Sequence, residues 1–127
     1  MASLNMPTTR QPLCTVPKVW GKEVWIVNND LYCGKILYIN AGACGSLHYH
    51  KIKYETFHLR SGHITIRVGD VEYVMLPGMV IDLPPGTIHQ FRASIDSEIW
   101  EFSTKHDDED TYRLSTSSAT HQYEYYK

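Results

Sequence analysis

The stretch from Gly42 to Gly62, GACGSLHYHKIKYETFHLRSG, predicts both the fold and a candidate site. His48 and His50 stand two residues apart, and alternate residues of a strand point to the same face. Glu55 follows after four more residues, most simply on the neighbouring strand beyond a turn. We therefore expect two imidazoles and one carboxylate to face a common point.

A second stretch, GMVIDLPPGTIH at 78–89, adds a third imidazole. His89 lies just past the Pro84-Pro85-Gly86 turn, where proline fixes φ and glycine supplies a positive φ. Three neutral imidazoles and a carboxylate suit a divalent cation, with one or two coordination positions open to water or substrate. The predicted ligands are His48, His50, Glu55 and His89. The ion is manganese, iron, nickel, cobalt or zinc, and the sequence does not choose among them.

Most of the chain consists of short segments rich in Val, Ile, Tyr, Phe and Trp, separated by turn-forming residues. The candidate strands are 23–28, 31–39, 46–50, 54–60, 63–68, 71–76, 79–83, 88–93 and 98–103. No window shows a convincing helical period, so this spacing predicts an all-β sandwich or barrel. We expect one domain over 1–127, with a core at about 19–104. Residues 1–17 would form an arm or edge segment, and 105–127 a tail.

Composition narrows the class of protein. A length of 127 residues fits one domain, and a net charge of −2 argues against nucleic acid as the main partner. Apolar runs are too short to span a membrane, and the first residues lack the apolar core of a signal peptide, which predicts a cytoplasmic protein. Three cysteines without CxxC spacing predict neither a disulfide framework nor a cysteine zinc site.

The two stretches together resemble the two motifs of the cupin family. The first reads G-x5-H-x-H-x4-E-x6-G, with fixed residues Gly42, His48, His50, Glu55 and Gly62. The second reads G-x5-P-x-G-x2-H, with fixed residues Gly78, Pro84, Gly86 and His89. The motif usually ends on Asn, where this chain has Ala93, but that Asn is not a ligand. The resemblance implies a double-stranded β-helix, or jelly-roll, barrel with the metal inside.

A second resemblance concerns the segments that flank this core. Residues 17–23 (PKVWGKE) look like the start of the cupin domain of type II mannose-6-phosphate isomerases. Residues 101–104 (EFST) and 107–113 (DDEDTYR) look like the end of that domain. The resemblance suggests a small single-domain cupin that acts on a sugar or sugar phosphate.

An aldose–ketose isomerase needs a Lewis acid and a base that moves a proton between C1 and C2 through an enediolate. Glu55 is one candidate base, but a carboxylate beside a divalent cation has a lowered pKa, which weakens it. Glu101, on the last core strand, is the second candidate. Because successive residues of a strand point to opposite faces, Glu101 lies on one face and Trp100 and Phe102 lie on the other. We expect the two aromatics to fill the core and Glu101 to be exposed.

Substrate contacts are predicted near the paired histidines. The candidate phosphate-binding cations are Lys51, Lys53, Arg60, Arg67, Arg92 and Arg113. Lys51 and Lys53 are the best placed, because they lie in the turn after the paired histidines, near the barrel mouth. Tyr49 and Tyr54 flank the ligands and would either stack on a sugar ring or pack on the outer surface. Alternation predicts that His58 points outward. His63, His106 and His121 are expected at the surface.

Two other functions and an oligomeric state remain open from the residues alone. The same ligand set suits an Fe(II) dioxygenase. A barrel that binds carbohydrate and holds a metal without catalysis is the non-enzymatic alternative. We also predict a homodimer, formed through edge strands with the N-terminal arm and the tyrosine-rich tail as contact material.

Overall fold

A computed structural model of the chain describes residues 6–120. The predictions for His121 and the tyrosine-rich end of the tail lie outside these residues. The strands are β1 Cys14–Lys18, β2 Gly21–Asn28, β3 Cys33–Ile39, β4 His48–Tyr49, β5 Glu55–Ser61, β6 Ile64–Val68, β7 Val71–Met75, β8 Val80–Leu83, β9 His89–Ala93, β10 Ser97–Ser103 and β11 Tyr112–Arg113.

The strands form two antiparallel sheets. Sheet A has six strands in the order β1-β2-β3-β10-β5-β8, and sheet B has five in the order β11-β4-β9-β6-β7. Strands distant in sequence are neighbours in both sheets, as in β10 beside β3 and β9 beside β6. This arrangement confirms the predicted all-β jelly-roll barrel.

The inner face of the barrel changes character along its strands. In β5 the inward residues are Glu55, Phe57 and Leu59, and in β10 they are Glu101, Ile99 and Ser97. The alternation of buried and half-buried residues in these strands is the two-residue period of a sheet with one face on the core. The apolar cluster consists of Trp20, Leu37, Ile39, Ala43, Phe57, Leu59, Ile64, Ile66, Met75, Leu83, Phe91, Ala93 and Ile99.

Gly62 shows why the first motif ends on glycine. Its φ is +97°, a conformation that residues with a Cβ rarely adopt. A Cβ there would also lie 2.6 Å from the carbonyl oxygen of Asp96 and meet Ser97. Glycine is therefore required at this position of the β5–β6 turn for two reasons, the backbone conformation and the close packing against the β9–β10 turn.

Two segments outside the expected core also form strands. The end of the predicted arm and the residue that follows it form β1, which pairs with β2 from Cys14↔Trp25 to Lys18↔Gly21. Within the expected tail, a short 3-10 turn at Asp108–Asp110 precedes β11, which pairs with β4. β1 is an edge strand of sheet A, and β11 has no local signal because a strand of two residues shows no periodicity.

Two further expectations concern the membrane and the cysteines. Within residues 6–120 there is no helix long and apolar enough to cross a membrane. Cys33 and Cys44 are buried, Cys14 is exposed, and all three are free thiols.

Candidate metal centre and its cavity

The four predicted ligands converge at one end of the barrel interior. One donor atom from each of His48, His50, Glu55 and His89 lies within 4.8 Å of the others. His48 in β4 and His89 in β9 are directly opposite in sheet B, whereas Glu55 begins β5 in sheet A. Two donors on opposite sides of one ion stand about 4 Å apart, twice an ordinary metal–donor distance. The cluster therefore has nearly the dimensions of a single-ion site and bridges the two sheets.

Each histidine is oriented by a backbone carbonyl. Nδ1 of His48 lies 3.0 Å from Ser46 O, Nδ1 of His50 lies 3.0 Å from Asp110 O, and Nδ1 of His89 lies 2.9 Å from Thr87 O. A carbonyl oxygen only accepts, so Nδ1 carries the proton in all three rings. In the neutral rings each Nε2 then holds a lone pair, which is the arrangement that metal-binding histidines use.

The four donors are arranged to bind a cation. Without a cation, some of these buried atoms have no hydrogen-bond partner. Glu55 Oε2 lies 3.3 Å from His50 Nε2 and 3.1 Å from His89 Nε2. Glu55 Oε2 and His89 Nε2 are buried without a hydrogen-bond partner, although buried polar atoms are nearly always paired. Burial and the neighbouring His89 ring also lower the pKa of His48 to about 3, which keeps this imidazole in its metal-binding form. A divalent cation would satisfy both unpaired atoms.

The backbone of His50 is fixed by the Pro-Pro-Gly turn. The N–H of Gly86 donates to the carbonyl of His50 at 2.6 Å, and Thr87 N–H donates to Pro84 O at 3.1 Å within the turn. Gly86 has φ +83°, a conformation that residues with a Cβ rarely adopt. The second motif thus supplies one ligand and also holds a ligand of the first.

Asp110 anchors the same loop from the C-terminal segment. Its buried carboxylate accepts from the N–H of Lys51 at 2.9 Å, of Ile52 at 3.1 Å and of Lys53 at 3.0 Å. Burial alone would raise the pKa of Asp110, but these N–H groups lower it below its ordinary value. Because its carbonyl also accepts from His50, Asp110 fixes both the ligand and the loop that follows.

A buried ion cluster adjoins the four ligands. Lys53 Nζ lies 2.6 Å from Glu101 Oε2 and 3.3 Å from Glu55 Oε1, with all three side chains almost completely buried. Burial alone would lower the pKa of Lys53, but the carboxylates of Glu101 and Glu55 raise it above its ordinary value. The ammonium ion therefore stays charged between the two carboxylates.

The expectation that Glu101 is exposed is wrong. Glu101 is 4% exposed and faces the cavity, whereas Phe102 is 53% exposed on the outer face of sheet A. Alternation predicts that Glu101 and the two aromatic residues face opposite sides of sheet A. It does not predict which of the two sides faces the barrel interior. The buried partner Lys53 decides it, because an ion pair with Lys53 allows a carboxylate to replace an aromatic ring inside the barrel.

The surface placement expected for His106 is also wrong. Its side chain is 10% exposed and lines the cavity. Lys53 Nζ donates to His106 Nδ1 at 2.9 Å, so Nε2–H donates to Asp108 at 2.7 Å. Burial, together with the cations of Lys53 and Lys35, lowers the pKa of His106. The outward placement of His58 is confirmed, since it faces Trp100 on the outer side of sheet A.

Three of the predicted substrate contacts lie outside the cavity lining. Tyr49 stacks on Tyr112 with ring centroids 5.2 Å apart, and the Lys51 ammonium stands 4.5 Å above the Tyr112 ring. Tyr54 is 42% exposed and away from the cavity. Lys53 does line it, but inside the ion cluster. The roles of these residues in substrate binding stay predictions.

The cluster opens into a cavity of about 280 Å³. Sequence reasoning missed several polar residues of its wall, among them Lys18, Glu23, Lys35, Asp108 and Thr111. Lys35 had a usable signal, because it alternates with Leu37 and Ile39 on β3 and so shares their inward face. Asp108 and Thr111 had none, since the run 105–113 is typical of a solvated loop.

Comparison with known proteins supports the same fold. The sequence profile of the cupin domain matches residues 35–99, which include all four candidate ligands. No curated protein matches the chain by sequence. A solved structure of KdgF from Halomonas sp. is similar over 69% of this chain and 81% of that one, with 17% identity and a TM-score of 0.65.

Two further solved structures show the same barrel. CapF, a capsular polysaccharide assembling protein of Staphylococcus aureus, has 22% identity and a TM-score of 0.73 over 84% of this chain. The match spans only 35% of CapF. An RmlC-like cupin from Shewanella frigidimarina has 15% identity and a TM-score of 0.70, over 83% of this chain and 94% of that one. The profile covers just over half of the 127 residues, and the chain belongs to the cupin family.

Proposed function

We propose that this cupin is a metal-dependent isomerase of a sugar or sugar phosphate. One observation carries the proposal: a convergent His/His/Glu/His cluster shares a cavity with a second, non-ligand carboxylate, Glu101. A bound divalent cation would polarise the carbonyl and hydroxyl oxygens of an open-chain sugar. The resemblance of the flanking segments to type II mannose-6-phosphate isomerases supports the same reaction class.

The two carboxylates, Glu55 and Glu101, have different proposed roles. His48, His50, Glu55 and His89 hold the cation, and Glu101 moves the proton between C1 and C2. Glu55 Oε2 lies 3.3 and 3.1 Å from the Nε2 atoms of His50 and His89 and belongs to the donor cluster, whereas Glu101 does not. A cation bound to Glu55 would lower the pKa of that carboxylate, so Glu55 would be a better ligand than base, and Glu101 would remain outside the coordination sphere.

The size of the cavity suits a small polar ligand. Its volume of about 280 Å³ stands near the lower end of ordinary ligand sites, about 300 Å³. Trp20, Leu37, Phe57 and Phe91 form an apolar part of the wall, while the ion cluster forms the polar part. Such a mixed wall can contact both the carbon skeleton and the hydroxyl groups of one sugar.

The metal is tested by elemental analysis of the purified protein. We expect near-stoichiometric divalent metal in the wild type and its loss in His50→Ala and His89→Ala, because each removes one imidazole donor. His58→Ala, on the outer face of the same barrel, is the control and should keep the metal. Full occupancy in the first two variants would refute the ligand assignment.

The reaction is tested by NMR in D2O with mannose 6-phosphate and with free fructose as substrates. An isomerase incorporates deuterium at C1 or C2 without consuming oxygen. Glu101→Gln should lower the exchange rate by about 100-fold or more while the metal stays bound. Glu98→Gln, three residues away on the outward face, should keep the wild-type rate. Oxygen uptake by the iron-loaded protein, without deuterium exchange, would favour the dioxygenase instead.

The homodimer also stays a proposal. The outer face of sheet A carries exposed apolar side chains, among them Phe102 and Val80. A monomeric mass by light scattering at micromolar concentration would refute the dimer.

A further inference from the structure

Arg113 is a cation of the cavity wall without a carboxylate partner in the part of the chain that the structure describes. The charged lining residues are four acidic, Glu23, Glu55, Glu101 and Asp108, and four basic, Lys18, Lys35, Lys53 and Arg113. Lys18 and Lys35 contact Glu23 at 3.9 and 3.4 Å. Lys53 lies between Glu55 and Glu101, and Asp108 accepts from His106. Among residues 6–120, Arg113 forms no ion pair.

The strand register directs Arg113 toward the cluster. In the β4–β11 pair, Tyr112 is opposite Tyr49 and Arg113 is opposite His48. The two tyrosine rings stack on each other outside the cavity lining. Alternation therefore puts His48 and Arg113 on the same face, and both line the cavity, with Arg113 exposed to solvent.

Backbone bonds hold this short strand in place. Leu114 N–H donates to Leu47 O at 2.7 Å, and Leu47 N–H donates to the hydroxyl of Ser115 at 2.9 Å. Directly opposite residues on an antiparallel pair have Cβ atoms about 5 Å apart. The Arg113 side chain therefore starts beside a candidate metal ligand, and a small ligand can reach both its guanidinium and the four donors.

Charge balance indicates what kind of ligand this is. The four acidic and four basic lining residues cancel, so a divalent cation leaves an excess of two positive charges. A guanidinium offers two parallel N–H donors that match a carboxylate or phosphate. We infer that Arg113 binds an oxyanion group of the substrate, whose other end reaches the candidate metal centre. The inference rests on the proposed cation at that centre and specifies the substrate class of the proposed isomerase.

Isothermal titration calorimetry of the metal-loaded protein tests the inference with three probes. Fructose 6-phosphate supplies a phosphate, glucuronate a carboxylate, and fructose no charge. We expect one charged probe or both to bind at least about tenfold more tightly than fructose. A hydrogen-bonded charge pair of ordinary strength accounts for a factor of this size. Whichever charged probe binds more tightly identifies the oxyanion.

Variants assign the effect to this residue. Arg113→Gln should lose at least about tenfold in affinity for the charged probe and leave fructose binding unchanged, and Arg113→Lys should recover part of the loss. Arg60→Gln, an exposed arginine of β5 outside the cavity lining, is the matched control. Unchanged affinity in Arg113→Gln, equal binding of fructose, or no binding of either charged probe would overturn the inference.

The same samples separate this inference from the proposed isomerase. If the charged probe binds through Arg113 but deuterium exchange is absent, the isomerase fails and the anion subsite stands. If exchange occurs but Arg113→Gln keeps the affinity and rate, the subsite fails and the isomerase stands. If the protein binds no metal even after reconstitution, both the proposed centre and this inference fail, because the excess positive charge depends on that cation.

Discussion

The two ends of the barrel interior are built on the same strands and differ in almost every physical respect. On β5 the inward side chains run from Glu55 through Phe57 to Leu59, and on β3 from Lys35 through Leu37 to Ile39. The apolar end gains free energy from each side chain removed from water. Charged side chains at the polar end lose their hydration on burial, and only pairing with opposite charges offsets this cost. The barrel's stability therefore comes mainly from one end, and its candidate chemistry lies at the other.

The largest expected effect breaks the pairing at the polar end. Lys53→Met removes the cation between Glu55 and Glu101 and leaves two buried carboxylates facing each other, so the metal-free protein should lose about 3–5 kcal/mol of unfolding free energy. Urea unfolding followed by tryptophan fluorescence measures the loss. Lys51→Met, on the exposed side of the same loop, should stay within about 0.5 kcal/mol of the wild type. Equal stability of both variants would mean that the polar end does not depend on this pair.

A cavity at the apolar end should be nearly as costly but leave the chemistry intact. Leu59 is completely buried, and Leu59→Ala should lower the unfolding free energy by about 2–5 kcal/mol. Because Leu59 lies away from the four ligands on its strand, the folded variant should keep wild-type metal stoichiometry. Loss of metal in the folded protein would contradict the division between the two ends.

A smaller effect concerns how the C-terminal segment shapes the polar end. Asp110→Asn replaces a carboxylate oxygen that accepts from the loop 51–53 with an amide that donates. The altered loop should misplace His50, and metal affinity should fall by about 10–100-fold. Competition with a chelator of known affinity measures the change, and Glu109→Gln on the same 3-10 turn is the control. Unchanged affinity in Asp110→Asn would mean that His50 is positioned without this anchor.

The smallest expected effect is a pH dependence at the rim of the cavity. Burial by itself raises the pKa of Glu23, but Lys35 and Lys18 lower it below the reference value of 4.5. A carboxylate whose pKa is lower in the folded state than in the unfolded state stabilises the fold above pH 4.5. This contribution is lost as the pH falls through the folded-state pKa. The stability advantage of wild type over Glu23→Gln should thus be about 1 kcal/mol at pH 7 and should shrink below pH 4.5. A difference that is constant between pH 7 and pH 3 would contradict the ion pair.

Much of the fold could be predicted because its signals are local. Turn residues and two-residue alternation marked most strands, and the spacing of His48, His50, Glu55 and His89 predicted that they meet. The side chains that turn those four into an organised centre could not be found in this way. Asp110 lies 60 residues from His50, which its carbonyl orients, and local periodicity contains no information about such a pairing.

The sequence by itself determined the all-β architecture and the residue types that converge, because alternation and turn chemistry depend only on neighbouring residues. Tertiary structure decided which alternating set faces inward on β10, where the buried ammonium of Lys53 makes Glu101 an interior residue. It also decided that the charge run 105–113 closes the cavity, because β11 pairs with β4 and brings Arg113 opposite His48. Both outcomes depend on partners distant in the chain, whose charges meet only when the two sheets close into a barrel.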